Sequence, residues 1–118
     1  METVKVTKLS NDVIHIIYLN SRITLDDIQH AFEQCLNIMD GPLRLMISGN
    51  RIRYADYDAL KITGSPEFEA KIFAQAIVTK TIVERLLGRL YIKTHPTRYL
   101  NECFLDEVSA LEWLASKA

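Results

Sequence analysis

Few side chains in this sequence have chemistry to offer, and they are scattered. The histidines are His15, His30 and His95, and the cysteines are Cys35 and Cys103. A zinc site needs ligands at short, fixed spacings, and no HxxxH or CxxC pair is present. Nucleophilic catalysis needs a base beside an activated serine or cysteine, and neither cysteine has a histidine near it in sequence. His15 lies within an apolar run and reads as a satisfied core or rim histidine rather than a ligand. His30 falls off the apolar stripe of its helix, on the solvent side, and His95 precedes Pro96 where a helix ends, a favourable place for a cation. Four scattered glycines make no phosphate loop. The expectation is therefore no catalytic residue, no metal and no cofactor.

Two stretches are better suited to recognition. The first is Arg51-Ile52-Arg53-Tyr54-Ala55-Asp56-Tyr57-Asp58, where the chain leaves its third strand. In open α/β sheets ligands meet the carboxyl ends of strands, and arginine and tyrosine are favoured interface anchors. Arg51, Arg53, Tyr54, Asp56 and Tyr57 are thus candidate partner- or ligand-binding residues; the alternative is a polar loop whose arginines pair with Asp56 and Asp58. The second is Arg85, Arg89 and Lys93, spaced by four on one side of a helix. Arg85 and Arg89 join the candidates, since such a stripe could meet anionic headgroups or an acidic partner, although it reads more readily as a solvated face.

Those residues need elements to hold them. Ile72–Thr79 is rich in β-branched and apolar residues with one strongly polar side chain, the mark of a strand covered on both faces. Ile82, Val83, Leu86, Leu87, Leu90 and Tyr91 then fall on one half of a helix, as on a helix laid against a sheet. On that reading Leu86→Ala costs about 2–5 kcal/mol. Tyr99–Phe104 returns as a strand, and Asp106 opens a last helix through Val108, Leu111 and Leu114.

Upstream, Thr3–Leu9 alternates as an edge strand, Ser10-Asn11-Asp12 turns, and Val13–Leu19 forms a second strand, giving an antiparallel hairpin. Asn20–Ile23 is a loop. Thr24 with Asp27 resembles a capping box, opening a helix whose buried stripe is Leu25, Ile28, Ala31, Phe32, Cys35, Leu36 and Met39. Asp40-Gly41-Pro42 ends it. Leu43–Ser48 is the third strand, Ala55–Ile62 a weaker helix, and Ser65-Pro66 a fresh helix start. The order ββαβαβαβα implies one α/β domain, residues 1–118, with helical crossovers between mostly parallel strands.

The bulk numbers bound the rest. With 118 residues, 48% hydrophobic, 25% charged and a net charge of −1, the chain has the composition of a soluble globular domain without the basic excess that nucleic-acid binding demands. No apolar run approaches the roughly 20 residues of a membrane span. The first residues lack a signal-peptide core and the cysteines read as buried free thiols, so the expected location is the cytoplasm.

This arrangement resembles the SpoIIAA-like group of small bacterial domains, relatives of STAS domains and, more distantly, of CRAL-TRIO lipid-binding domains. The residues that carry the resemblance are Ala76-Ile77-Val78, Thr97-Arg98-Tyr99 and, most specifically, Phe104-x-Asp106-x-x-x-Ala110-Leu111-x-Trp113-Leu114. It implies a SpoIIAA-like α/β fold with a five-stranded mixed sheet, an N-terminal hairpin and crossover helices. Anti-sigma-factor antagonists of that fold carry a phosphorylatable serine after the third strand, typically in an Asp-Ser-Ser-Gly context. Here Asp56 or Ala55 stands at that place, and no serine or threonine lies between Gly49 and Ile62.

The expected role is a non-catalytic interaction or regulatory module acting through the loop after the third strand. The alternative is a binder of a small apolar or lipid-like ligand, as the CRAL-TRIO relation implies, and an enzyme stands third. A lined internal pocket would favour the ligand. The first strand is an edge, and crossovers between strands in sequence order gather helices on one sheet face. A homodimer burying the opposite sheet face, or a helix face, is therefore a further expectation.

Overall fold

The computed structural model describes residues 3–49 and 54–117. Strand β1 (Val4–Lys8) and strand β2 (Val13–Tyr18) form the hairpin, with Val4 opposite Tyr18 and Val6 opposite Ile16. Asp12, at φ 62°, makes the turn. A two-residue strand β3 (Arg22–Ile23) leads into helix α1 (Leu25–Ile38). The capping box forms as the sequence indicates: Thr24 N–H donates to Asp27 Oδ2 over 2.9 Å, and Asp27 N–H to Thr24 Oγ1 over 3.3 Å. Gly41, at φ 109°, takes the chain out of the helix in a conformation that side chains disfavour.

Strand β4 (Leu43–Gly49), the short strand β5 (Tyr54–Ala55), helix α2 (Tyr57–Ile62) and helix α3 (Pro66–Lys71) follow. Strand β6 (Ile72–Val78), helix α4 (Ile82–Thr94), strand β7 (Leu100–Phe104) and helix α5 (Glu107–Ser116) complete the chain. Among the described residues, β1, β2, β4, β6 and β7 form one sheet in that order. Only the hairpin is antiparallel; every later pairing is parallel. A small parallel ribbon joins β3 and β5, a pairing absent from the sequence reading, which made residues 20–23 a loop and started the next helix at Ala55. Two residues per strand give no periodicity to detect.

Strands lying in chain order, with crossovers of one hand, place the crossover helices on one face. That face holds the larger core, in which Phe32 and Cys35 of α1 and Phe68 of α3 meet Ile14, Ile16, Leu43 and Leu45 of the sheet. Phe32 and Phe68 stack with ring centroids 4.0 Å apart. The opposite face is not open. Helix α5 folds back over it, seating Ala110 and Leu114 on Val13, Met46, Ala74 and Ala76. Arg44 pins the helix end, donating to the Leu114 carbonyl over 3.3 Å while stacking 5.1 Å above the Phe73 ring. The sheet face expected to need a dimer partner is thus covered from within the chain.

Helix α4 differs most from expectation. It packs on β7, and none of its residues is buried. Ile82, Val83, Leu86, Leu87 and Leu90 are between 57% and 66% exposed. The side turned inward carries Gly88, where a Cβ would lie 2.6 Å from Cys103 Sγ. The helix is amphipathic as predicted, but its apolar face points to water. Leu86 is consequently not a core residue, and the 2–5 kcal/mol expected for its truncation does not apply.

Candidate functional site

Helix α4 comes close to β7 at Gly88 and Cys103, and from there it roofs a cavity over the neighbouring strands instead of filling one. The space measures about 440 Å3, within the range of small-molecule sites. Its floor is the sheet, with Ile16 and Tyr18 of β2, Leu45 and Ile47 of β4, Ile77 of β6 and Cys103 of β7. Phe32 of α1 and Phe68 of α3 wall one side, while Leu87, Gly88, Tyr91 and Ile92 of α4 form the roof. The strand alternation explains the lining: residues of one parity face this cavity, and those of the other face α5.

Polar groups in the lining are few and already engaged. Gln75 is buried on β6, and its Nε2 donates to Asn101 Oδ1 over 3.4 Å. Thr79 Oγ1 donates to the Phe104 carbonyl over 3.1 Å. The Tyr99 hydroxyl, behind the cavity, donates to the Thr63 carbonyl over 2.7 Å, and burial pushes its pKa up to about 12. Both thiols are fully buried; burial pushes Cys35 up to about 12 and also raises Cys103, so neither is a ready thiolate nucleophile. A second, more polar space of about 240 Å3 adjoins the first, sharing Leu60, Thr63, Tyr91, Ile92 and Asn101 and adding Lys61, His95 and Thr97.

Of the two stretches singled out in the sequence, the first reaches this cavity. Tyr54, on β5, lines it, and exposed Tyr57 at the start of α2 lies close enough to Tyr91 of the roof to contribute to the rise of that phenol's pKa, which burial dominates. Arg51 and Arg53 lie outside the described residues. Asp56 precedes α2, as a phosphoacceptor would, but its carboxylate accepts two hydrogen bonds from the Arg22 guanidinium, both 2.8 Å. Those bonds hold the Asp56 pKa below its usual value. The guanidinium comes from Arg22 on β3 because the β3–β5 ribbon brings residues 22 and 54 into register, whereas the expected pairing of Arg51 and Arg53 with Asp56 and Asp58 lies outside the described residues.

Arg85 and Arg89 do not occupy the open side of α4. Arg85 Nε donates to the Cys103 carbonyl over 3.4 Å, and Arg89 Nε pairs with Glu102 over 3.0 Å. They brace the roof helix against β7. Exposed Lys93 shares their edge of the helix.

The histidines stay out of the cavity's apolar part. His15 Nε2 hydrogen-bonds Ser48 Oγ over 2.8 Å, with Glu107 Oε2 at 3.9 Å from the same nitrogen. A hydrolytic triad sets the carboxylate on the other ring nitrogen, where it orients the imidazole. This cluster lacks that arrangement and lies on the α5 side of the sheet. His30 meets Gln34 at the surface, and His95 stacks on Tyr91 with centroids 4.2 Å apart. Among the described residues no group of three or more histidine, cysteine or acidic side chains could hold a metal ion, and no helix is long and apolar enough to cross a membrane.

Of the described residues that line the cavity, sequence reasoning singled out Tyr54 alone as a candidate for binding. The one available signal for the others was Gln75, the polar side chain inside an otherwise apolar strand; a buried amide there marks a polar feature in a greasy space.

Comparison with known proteins places this geometry. No curated protein matches the chain. A solved structure does: the crystal structure of an uncharacterized protein of the DUF3478 family with a SpoIIAA-like fold, from Shewanella loihica PV-4. The two superpose with a TM-score of 0.67 over 94% of this chain and 91% of that one, at 14% identity. The fold is therefore SpoIIAA-like, an α/β arrangement around a five-stranded mixed sheet. A family model described as a domain of unknown function, DUF7793, matches residues 7–117, and the chain belongs to that family.

Proposed function

We propose that this chain is a non-catalytic, cytoplasmic binding module whose ligand is a small, mostly apolar molecule held beneath α4. The observation that carries this reading is the cavity of about 440 Å3, walled by aliphatic and aromatic side chains with the Gln75–Asn101 amide pair as its polar landmark. Displacing water from such a wall is favourable at roughly 25 cal/mol per Å2 of apolar contact, so no charged anchor is required. The adjoining polar space beside Lys61 and His95 suits a ligand with one polar end. Thiols held protonated by burial, and a histidine–serine pair on the other face of the sheet, support a role in binding rather than catalysis. Free, buried cysteines suit a reducing compartment.

A second reading, a partner-binding regulatory module, draws on the rim. Tyr54 and Tyr57 are 57% and 76% exposed beside the cavity. With no serine or threonine between Gly49 and Ile62, ligand occupancy replaces phosphorylation as the natural input to that surface.

The test is native mass spectrometry of freshly purified protein, followed by titration with a fluorescent fatty-acid analogue. Wild-type protein is expected to bind it saturably, and Ile77→Trp, which projects bulk into the cavity, to weaken binding at least tenfold while the far-ultraviolet circular dichroism is unchanged. No saturable binding by wild-type protein, or equal binding by the folded variant, refutes the cavity as the site.

A further inference from the structure

The outward face of α4 has no role in enclosing the cavity, apart from the edge contributed by Leu87. Ile82, Val83, Leu86, Leu87 and Leu90 form a continuous stripe, and Val83, Leu86 and Leu90 follow the three-then-four spacing of a helix–helix seam. Gly88 lies on the opposite side of the helix, locked against Cys103, so rotation of α4 cannot bury the stripe without breaking that approach. Arg85 and Arg89 hold the same orientation through Cys103 and Glu102.

Five side chains about three-fifths exposed leave on the order of 500 Å2 of apolar surface in water, near the upper end of the roughly 300–600 Å2 of a monomer's largest patch. A standard interface takes about 800 Å2 from each partner. The stripe, with Lys93 and Thr94 as a polar rim, supplies most of that area and the apolar-centre, polar-edge layout of an interface. We infer that the occupant of this face is a second copy of the chain, with α4 packed on α4 about a two-fold axis.

Two observations favour a copy over a lipid surface. The chain's net charge is −1, and two of the three cations along the helix are turned to partners in β7, which leaves little attraction for anionic headgroups. A single seam of uniform apolar character is also self-complementary, as a two-fold contact requires. The inference does not rest on the cavity's ligand, because the two surfaces share only Leu87 at their edge.

Light scattering at micromolar concentration tests it. Wild-type protein is expected at twice the 13.5 kDa chain mass, and Leu86→Lys and Leu90→Lys each at the single-chain mass with circular dichroism retained. A monomeric wild-type protein overturns the proposal, as does a folded lysine variant that remains dimeric. Unfolding of both lysine variants would also overturn it, since it would place the stripe inside the chain's own core. Flotation of monomeric wild-type protein with phosphatidylserine vesicles would assign the face to a membrane instead.

Discussion

Leu114→Ala is the substitution that most directly examines how α5 closes the sheet. Leu114 is fully buried against Met46, Ala74 and Ala76 on the face that the crossover helices leave bare. Removing three carbons forfeits about 0.8 kcal/mol each in transfer energy, or roughly 2.4 kcal/mol. A void of up to about 80 Å3, at about 24 cal/mol per Å3, adds as much as ~2 kcal/mol if α5 cannot settle inward. Settling is restricted because Arg44 holds the Leu114 carbonyl and stacks on Phe73. The expected cost is therefore about 2.5–4.5 kcal/mol, a large share of a domain stability of about 5–15 kcal/mol. With a urea m-value near ~1.5 kcal/mol per molar, the midpoint falls by about 2–3 M. Leu86→Ala is the control. At 60% exposure it costs less than about 1 kcal/mol, measured dilute enough that light scattering gives the single-chain mass. A Leu114→Ala midpoint within about 0.5 M of wild type, or an equal loss from Leu86→Ala in the monomer, refutes this account of the two helices.

Acid lability follows from the carboxylates at helix starts and in the β3–β5 ribbon. Burial alone would raise the pKa of Asp27, but hydrogen bonds from the Thr24 amide and the Thr3 and Thr24 hydroxyls lower it; bonds from Arg22 lower Asp56, and the Ser109 amide lowers Asp106. Each folded pKa lies below the unfolded value of about 3.9, so the stabilisation is complete above that pH and is lost as pH falls through the folded value. Asp27→Asn is expected to lose less stability than wild type between neutral pH and the acid limb; parallel pH profiles would contradict this. Gly88→Ala sets a helix-propensity gain of about 1 kcal/mol against overpacking of about 1–3 kcal/mol at Cys103 Sγ, so it is expected to destabilise. In a Cys103→Ala background the sign reverses, and a cycle showing no coupling in thermal denaturation would mean that α4 does not approach β7 at residue 88.

Local signals in the sequence determined the elements. Thr24 with Asp27, Ser65 with Pro66, and Asp106 start helices where their side chains accept the free amides, and these contacts span three residues. The β-branched runs marked the five strands, and the helical crossovers between them marked their pairing as mostly parallel. Three things were decided only in three dimensions. Apolar periodicity established that α4 has a greasy face, but the hydrophobic effect has no direction, and the contact of Gly88 with Cys103 turned that face to water. No residue of α5 specifies which sheet face it covers; it takes the one the crossovers leave bare. The cavity is a distance between elements, fixed by how far Gly88 lets α4 approach β7 and by Phe32 and Phe68 stacking at its side, and a separation between residues far apart in the chain leaves no period in the sequence that encodes it.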